Sequence, residues 1–219
     1  MYVPEHFAMT PEQVAELISD RGVGDLITCG SAGLQATFLP FHFDPTVGAH
    51  GVLRTHVSKV NPQWRDEGPA LVIFHGADRY ISPTWIPDAV DRNLVPTWNY
   101  LTVQVHGQLV SHHDEEWKLD RLRELVDMHE DKWDLSKVSS DHFRRFLPAM
   151  VGVEIQISAI VGKAKMNQNR TPGDIEHIVG SLAQEGHGDE VGEFMSDFSL
   201  PHAVARHEEI SRLRRQSQS

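Results

Sequence analysis

Residues 53–64, LRTHVSKVNPQW, crowd Thr55, His56, Ser58 and Lys59 into one short stretch. A brief extended run leads into them, and Asn61-Pro62 reads as a helix start. Where a strand ends and a helix begins, the chain offers free backbone N–H groups and the positive end of a helix dipole, an arrangement that favours phosphate. A second polar group is Pro96-Thr97-Trp98-Asn99-Tyr100, two aromatic rings bracketing an amide as a strand begins. A third, residues 163–170, puts Lys163, Lys165 and Arg170 beside the amides Asn167, Gln168 and Asn169. Singly, these read as a solvated loop, a core tryptophan and a charged surface turn. Together they supply cations for a phosphate, amides for the edge of a heterocycle and flat rings to pack beside it. That combination suits an aromatic phosphorylated ligand.

Fourteen histidines invite a metal reading. The groupings His42/His50/His56 and His112/His113, with later His177, His187, His202 and His207, contain no HxxxH or HExxH and no carboxylate at ligand spacing, so no metal site is expected. A dinucleotide GxGxxG, a GxxxxGK[ST] loop, a GxSxG elbow and a helix-turn-helix with a basic second helix are all missing from the sequence.

Elements that would position the polar groups follow from periodicity. Thr10, Pro11 and Gln13 form a capping box ahead of a helix with Val14, Leu17 and Ile18 on its buried stripe, stopped by Gly22 and Gly24. Strands are expected at 26–29, at 34–43 with Pro40 near its end, and at 51–55; a short helix, QWRDEG, follows Asn61-Pro62. Residues 70–74, ALVIF, read as a buried strand, 75–78 as a turn, 79–82 as a brief strand, and 94–110 as a long half-exposed one. Short Gly, Asp and Pro turns without crossover helices argue for an antiparallel sheet closed into a barrel. An amphipathic helix is expected from Asp114 to Glu130, a short one over 141–147, and a last barrel strand over 150–161. This divides the chain into a domain over 1–170, with helices inserted at about 114–147, and a helical extension over 171–219, with helices at 174–184, 190–197 and 202–215.

Length and composition bound the rest. The 219 residues, 40% hydrophobic and 23% charged, can bury a good core, and a net charge of −11 opposes non-specific attraction to a polyanion. Cys29 is the single cysteine, so an internal disulfide and a Cys-rich zinc site are both excluded. The N-terminus shows no signal-peptide pattern and no later run reaches transmembrane length, giving the expectation of a cytoplasmic protein without a membrane segment.

The motifs LRTHVSKVNPQW, ALVIFHGADRYISPTWIPD, VPTWNYLTVQVHG, VGVEIQI and KAKMNQNR, with MYVPEHFA at the start, resemble the PaiB family of FMN-binding negative transcriptional regulators. The resemblance runs in order from Met1 to about Leu182. It implies a six-stranded antiparallel Greek-key split barrel, mainly β with flanking helices (α+β), and a homodimer that binds FMN at the subunit interface. It also implies that Thr55, His56, Ser58 and Lys59 lie by the flavin phosphate, where related flavin oxidases carry an Arg/Lys pair. Lys59 is the one assured cation of that stretch, with Lys163, Lys165 or Arg170 as helpers. Thr97, Trp98 and Asn99 would line the isoalloxazine or ribityl region, and Gln168, Asn169 and Arg170 would come from the partner subunit. The family writes this last motif KxKLSQN; Met166-Asn167 replaces Leu-Ser here and keeps the apolar volume and a polar contact.

Two functions of different class follow. As a regulator, the chain would act indirectly or use a local patch such as Arg121/Arg123 or Arg144/Arg145 to reach DNA as a further partner. As an FMN-dependent oxidoreductase of a small molecule, it would draw on His56, His75, Tyr80, Tyr100 or His106 for protons, none of them marked as catalytic by its context. Haem binding or degradation is a third reading that the histidines would serve.

Overall fold

The computed structural model describes residues 1–130, 132–133, 135–186 and 190–216; His187 and the side chain of Arg144 lie outside that description. The chain folds as two compact units. One holds Met1 and residues 10–75 and 103–161; the other holds residues 2–9, 76–102 and 162–219.

In the first unit the expected capping box forms: Thr10 Oγ1 accepts from Gln13 N–H while Gln13 Oε1 accepts from Thr10 N–H. Helix α1 (Pro11–Arg21) then buries Val14, Leu17 and Ile18 and ends on Gly22, whose φ of 61° is the left-handed conformation glycine adopts freely. Strands β1 (Val23–Gly30), β2 (Gly33–Pro40), β3 (His42–Asp44), β4 (Val52–Ser58), β5 (Gly68–Ile81), β6 (Thr97–His112) and β7 (Met150–Lys165) make one sheet in the order β2-β1-β5-β6-β7-β4-β3. The order itself shows that the sheet curls. Seven strands laid flat would hold β2 and β3 about 29 Å apart, yet only Phe41 separates them in the chain, a reach of about 7 Å. The two end strands are therefore brought round to meet, as a barrel requires.

Seven strands stand where the resemblance implied six; against the seven read from periodicity, one is gained by a break at Pro40 and one lost where 70–74 and 79–82 fuse into β5. The expected strand over 34–43 is broken at Pro40: Phe41 N–H turns away to the Gly22 carbonyl (2.7 Å) and its ring enters the core, 5.8 Å from Phe74. The residues after it pair with β4 instead of β1. The turn expected at 75–78 is absent: β5 runs unbroken from Gly68 to Ile81, although its alternation slips there, with Ala70, Val72 and Phe74 buried before it and Ile81 after it. Helix QWRDEG contracts to a 3-10 turn, Pro62–Arg65.

Helix α2 (Glu115–His129), capped by Asp114, lies against this unit through Trp117. Gly152 on β7 is the notch that admits the ring: a Cβ there would sit 2.2 Å from Cζ3 of Trp117. His112 stacks on the same indole at 4.0 Å with 7° between the planes, and the Arg121 guanidinium lies 5.6 Å from it. Beside it Arg54 spans Asp44 (2.9 Å) and Glu154 (3.2 Å), and two hydrogen bonds from Thr46, more than the arginine, hold the Asp44 carboxyl down at about 2. A short helix, α3 (Ser140–Phe146), precedes β7.

The second unit packs α4 (Pro172–Gln184), α5 (Glu190–Phe194) and α6 (Leu200–Gln216) around Ile81, Ile86, Met166, Ile175, Ile178, Leu182, Val191, Met195 and Ala203. A π-helical turn, Met195–Ser199, joins the last two helices without a break. Among the described residues no helix is long and apolar enough to cross a membrane.

Candidate functional site

Strand β4 alternates cleanly, so its polar residues divide between two faces. Leu53, Thr55 and Val57 are buried; Arg54 and His56 are half-buried and Ser58 is exposed. Thr55 is thereby separated from His56 and Ser58, and its hydroxyl, fully buried, has no hydrogen-bond partner among the described residues. His56 sits opposite Gly152 of β7 with Nδ1 likewise unpartnered, and burial pushes its pKa down, favouring the neutral imidazole.

From Ser58 onward the backbone is tightly held, while the side chains of Ser58 and Lys59 themselves stay free. Lys59 N–H donates to the Ala149 carbonyl (2.8 Å), the Lys59 carbonyl accepts from Trp64 Nε1 (3.1 Å), and Asn61 N–H closes a turn on the Ser58 carbonyl (2.9 Å). Asn61 Oδ1 then caps the 3-10 turn at Gln63 N–H, and its Nδ2 donates to Thr37 Oγ1. Gln63 is completely buried; its Oε1 accepts from Thr37 at 2.6 Å and its Nε2 donates to the Leu26 carbonyl at 2.9 Å. The NPQW motif is thus a clasp that pins residues 58–64 to β1 and β2. Sequence reasoning missed Asn61 and Gln63 in this role, although an amide one place after Asn-Pro was the available signal. A four-residue 3-10 turn carries little macrodipole, so the expected helix-dipole contribution does not arise here. What remains is a fixed loop presenting the Ser58 hydroxyl and the Lys59 ammonium, neither engaged by another described residue.

The other expected residues belong to the second unit. Lys165 Nζ donates to Thr97 Oγ1 and to the Trp98 carbonyl (2.6 Å), which brings three of them together. Its ammonium and that of Lys163 lie 5.7 and 5.6 Å from the Tyr100 ring. Burial, with the neighbouring charge of Lys163 as a second cause, lowers the Lys165 pKa. Trp98 is 52% exposed, its Nε1 held by Asp78 at 2.7 Å and its ring edge-on to Tyr80. Asn99 is wholly buried: Nδ2 reaches Met195 Sδ at 3.3 Å and Oδ1 has no partner among the described residues. Gln168 spends both ends of its amide on its own turn, accepting from Met166 N–H (2.8 Å) and donating to the Ala164 carbonyl (2.7 Å). Asn167 takes a φ of 61°, and Arg206 of α6 donates to the carbonyls of Asn169 (2.9 Å) and Arg170 (2.8 Å). Asn169 is exposed and Arg170 half-buried.

These residues suit parts of an FMN molecule. A free hydroxyl and ammonium on a rigid turn fit a phosphate dianion, and a half-exposed, electron-rich indole suits stacking on a flat electron-poor ring. Gln168 is already committed and braces its turn; Thr55 faces the interior.

Comparison with known proteins agrees. The "Protease synthase and sporulation protein PAI 2" of Bacillus subtilis (strain 168) is 30% identical over 194 residues, 84% of this chain and 90% of that protein. Among solved structures, an FAD and heme binding protein from Mycobacterium smegmatis superposes with a TM-score of 0.56 at 16% identity, over 74% of each chain. The flavocytochrome Anf3 of Azotobacter vinelandii gives 0.56 at 16% identity, over 74% of this chain and 72% of that one. At such identities these two establish the split-barrel fold alone. The sequence profile described as "Putative FMN-binding domain" matches residues 1–159, so this chain belongs to that FMN-binding family, with FMN as its cofactor.

Proposed function

We propose that the protein is an FMN-binding homodimer of the PaiB type that acts as a negative transcriptional regulator. One observation carries the binding part: Ser58 and Lys59 project, uncommitted, from a turn that Gln63 and Asn61 hold rigid. A preformed turn gives up little entropy on closing over a phosphate. Ser58 and Lys59 of the first unit hold the phosphate; within the second unit, Trp98 with Thr97 and Lys165 offers a surface for a flavin ring. Bound FMN supplies electron-transfer chemistry, and the protein positions it. The regulatory part rests on the resemblance to the PaiB family. Direct reading of DNA has little in its favour, since Arg121 is paired with Glu124 and Arg123 with Asp120, in a chain of net charge −11. Indirect regulation is therefore the reading favoured over direct contact with DNA.

Titration of the purified protein with FMN tests the core of this reading. Quenching of flavin fluorescence with a bound-flavin absorbance spectrum is expected; free-flavin spectra at excess protein would refute it. A gel shift at low salt, where electrostatic attraction is greatest, separates direct from indirect regulation. An FMN-dependent oxidoreductase is the second reading, favoured by Tyr100 lying near two ammonium groups. Bleaching of bound FMN by NADH or NADPH would support it.

A further inference from the structure

Residues 82–96 join β5 to β6 within the second unit and carry one 3-10 turn, Pro83–Trp85. Connections this long are uncommon in compact domains and usually functional. This one is anchored at both ends. The Arg92 guanidinium grips the buried Asp174 of α4 through two hydrogen bonds (2.8 and 2.7 Å), and Trp85 Nε1 donates to the Glu185 carboxylate (3.0 Å). Between the anchors the chain closes on itself: the N–H groups of Arg92, Asn93 and Leu94 donate to the carbonyls of Asp88, Val90 and Ala89. Asp88 and Asn93 both take a positive φ (57° and 51°), a conformation rare outside glycine that Asp and Asn adopt most readily. The loop is therefore shaped before anything binds to it.

It encloses a cavity of about 320 Å³. Ile86, 4% exposed, forms the floor, with Pro83, Ala89 and Leu94 half-buried around it. Asp88 and Asp91 stand exposed at the rim, and neither carboxylate accepts a hydrogen bond from a described residue. Arg92 is within electrostatic reach of Asp88, but its N–H groups are spent on Asp174. Val90, 89% exposed, stands beside them.

We infer that this cavity docks another protein: one apolar side chain of the partner seats against Ile86 and Leu94, and a neighbouring Lys or Arg meets Asp88 and Asp91. The volume lies at the low end of the ~300–1,000 Å³ of small-molecule sites, enough for a single anchoring side chain. An apolar anchor in a preformed pocket, ringed by complementary polar contacts, is the usual form of an interface hot spot. The unpaired carboxylates select a basic partner and repel a nucleic acid or an anionic lipid surface, as does the net charge of −11. A small amine would satisfy the rim and leave the apolar floor unfilled. Neither the cavity nor its occupant depends on the flavin reading: a failed FMN titration leaves this surface standing, and a failed peptide titration leaves the flavin site standing.

The probe is a short fluorescein-labelled peptide with one leucine between two pairs of arginines. It is titrated into the full-length protein by fluorescence polarisation, with methyl NMR spectra recorded alongside. One anchor and exposed ion pairs make a weak site, so a Kd of about 10–100 μM is expected, with methyl shifts at Ile86, Ala89, Val90 and Leu94. Exchanging the peptide's leucine for serine should weaken binding about 10-fold, and so should Asp88→Asn combined with Asp91→Asn. Asparagine tolerates the left-handed φ that position 88 requires. Absence of binding up to about 1 mM would overturn the inference. Equal binding of the serine peptide would also overturn it, since only a cation would then be recognised. Binding that survives in the double variant and moves other methyl groups would reduce it to general attraction by an acidic chain. Sedimentation velocity covers the remaining occupant: self-association that the peptide abolishes would put a second copy in the cavity and overturn the inference. If the double variant fails to fold, the methyl shifts of the wild-type protein decide.

Discussion

Replacing Lys59 by Ala isolates the phosphate end of the proposed site. The Lys59 backbone is bonded at both its N–H and its carbonyl, and its exposed side chain makes no hydrogen bond, ion pair or ring contact with a described residue, so truncation breaks none of these and leaves no buried group unpaired. The unliganded protein should melt within about 1 °C of wild type, as surface changes of this sort stay within ~0.5 kcal/mol. Binding is different. A hydrogen bond to a charged partner contributes about 1.5–3 kcal/mol, so the Kd for FMN should rise about 10- to 100-fold. Riboflavin, which lacks the phosphate, should bind wild type and variant alike, and the affinity difference for FMN should shrink as salt is raised. Flavin-fluorescence titrations of both ligands at two salt concentrations provide the readout. Unchanged FMN affinity would place the phosphate elsewhere; a parallel loss for riboflavin would mean that the substitution had disturbed the fold of the turn.

Three further outcomes follow from the same geometry. Thr55→Val should raise the stability to denaturant, because an unpartnered buried hydroxyl costs about 1–3 kcal/mol, and leave FMN affinity unaltered; a loss of affinity would show that Thr55 faces the ligand. Gly152→Ala puts a methyl into the Trp117 ring and should cost about 1–3 kcal/mol, seen as a lower midpoint in urea and a shift in tryptophan emission. Burial lowers the pKa of His56 and His112, an effect on His112 opposed by Glu154 and deepened by Arg54. The unfolded chain then takes up protons first, and stability should be full above about pH 6.5 and fall as the pH drops from there. Melting temperatures between pH 7.5 and 5 check this, and His112→Phe, which keeps a ring stacked on Trp117, should flatten the profile.

The sequence made the strands of the barrel legible wherever one face was uniformly apolar. Residues 150–161 alternate so regularly that the final strand was expected there, and it runs four residues further. Capping of α1 was legible too, since Thr10, Pro11 and Gln13 act on their immediate neighbours. Pro40 was noticed but its consequence was not: whether a proline ends a strand or only marks an edge depends on where the next residues find partners, here Gly22 and β4. The site shows the same division. Polar residue types marked the end of β4 as chemical, but the face each one takes depends on the register of β4 with β7, which separates Thr55 from His56. The Gln63 clasp joins residues up to 37 positions apart and leaves no periodic trace.

Lysines in this chain show why composition alone is a poor guide to an anion site. Lys118 is buried, and its ammonium donates to the Leu147 carbonyl at 2.8 Å, so its charge serves the docking of α2. Lys165 is bound to Thr97 and the Trp98 carbonyl, and its charge holds the start of β6 to the end of β7. Lys59 alone of these three has a fixed backbone and a free ammonium. A cation already satisfied within the fold must break those bonds to take up a phosphate, and the net gain falls by what they contributed. A free one on a mobile loop gains the contact but gives up the entropy of ordering that loop. Lys59 avoids both costs, because Asn61 and Gln63 order the turn during folding, before any ligand arrives. In the proposed site, affinity at this position would thus be set by two amides that need not touch the ligand.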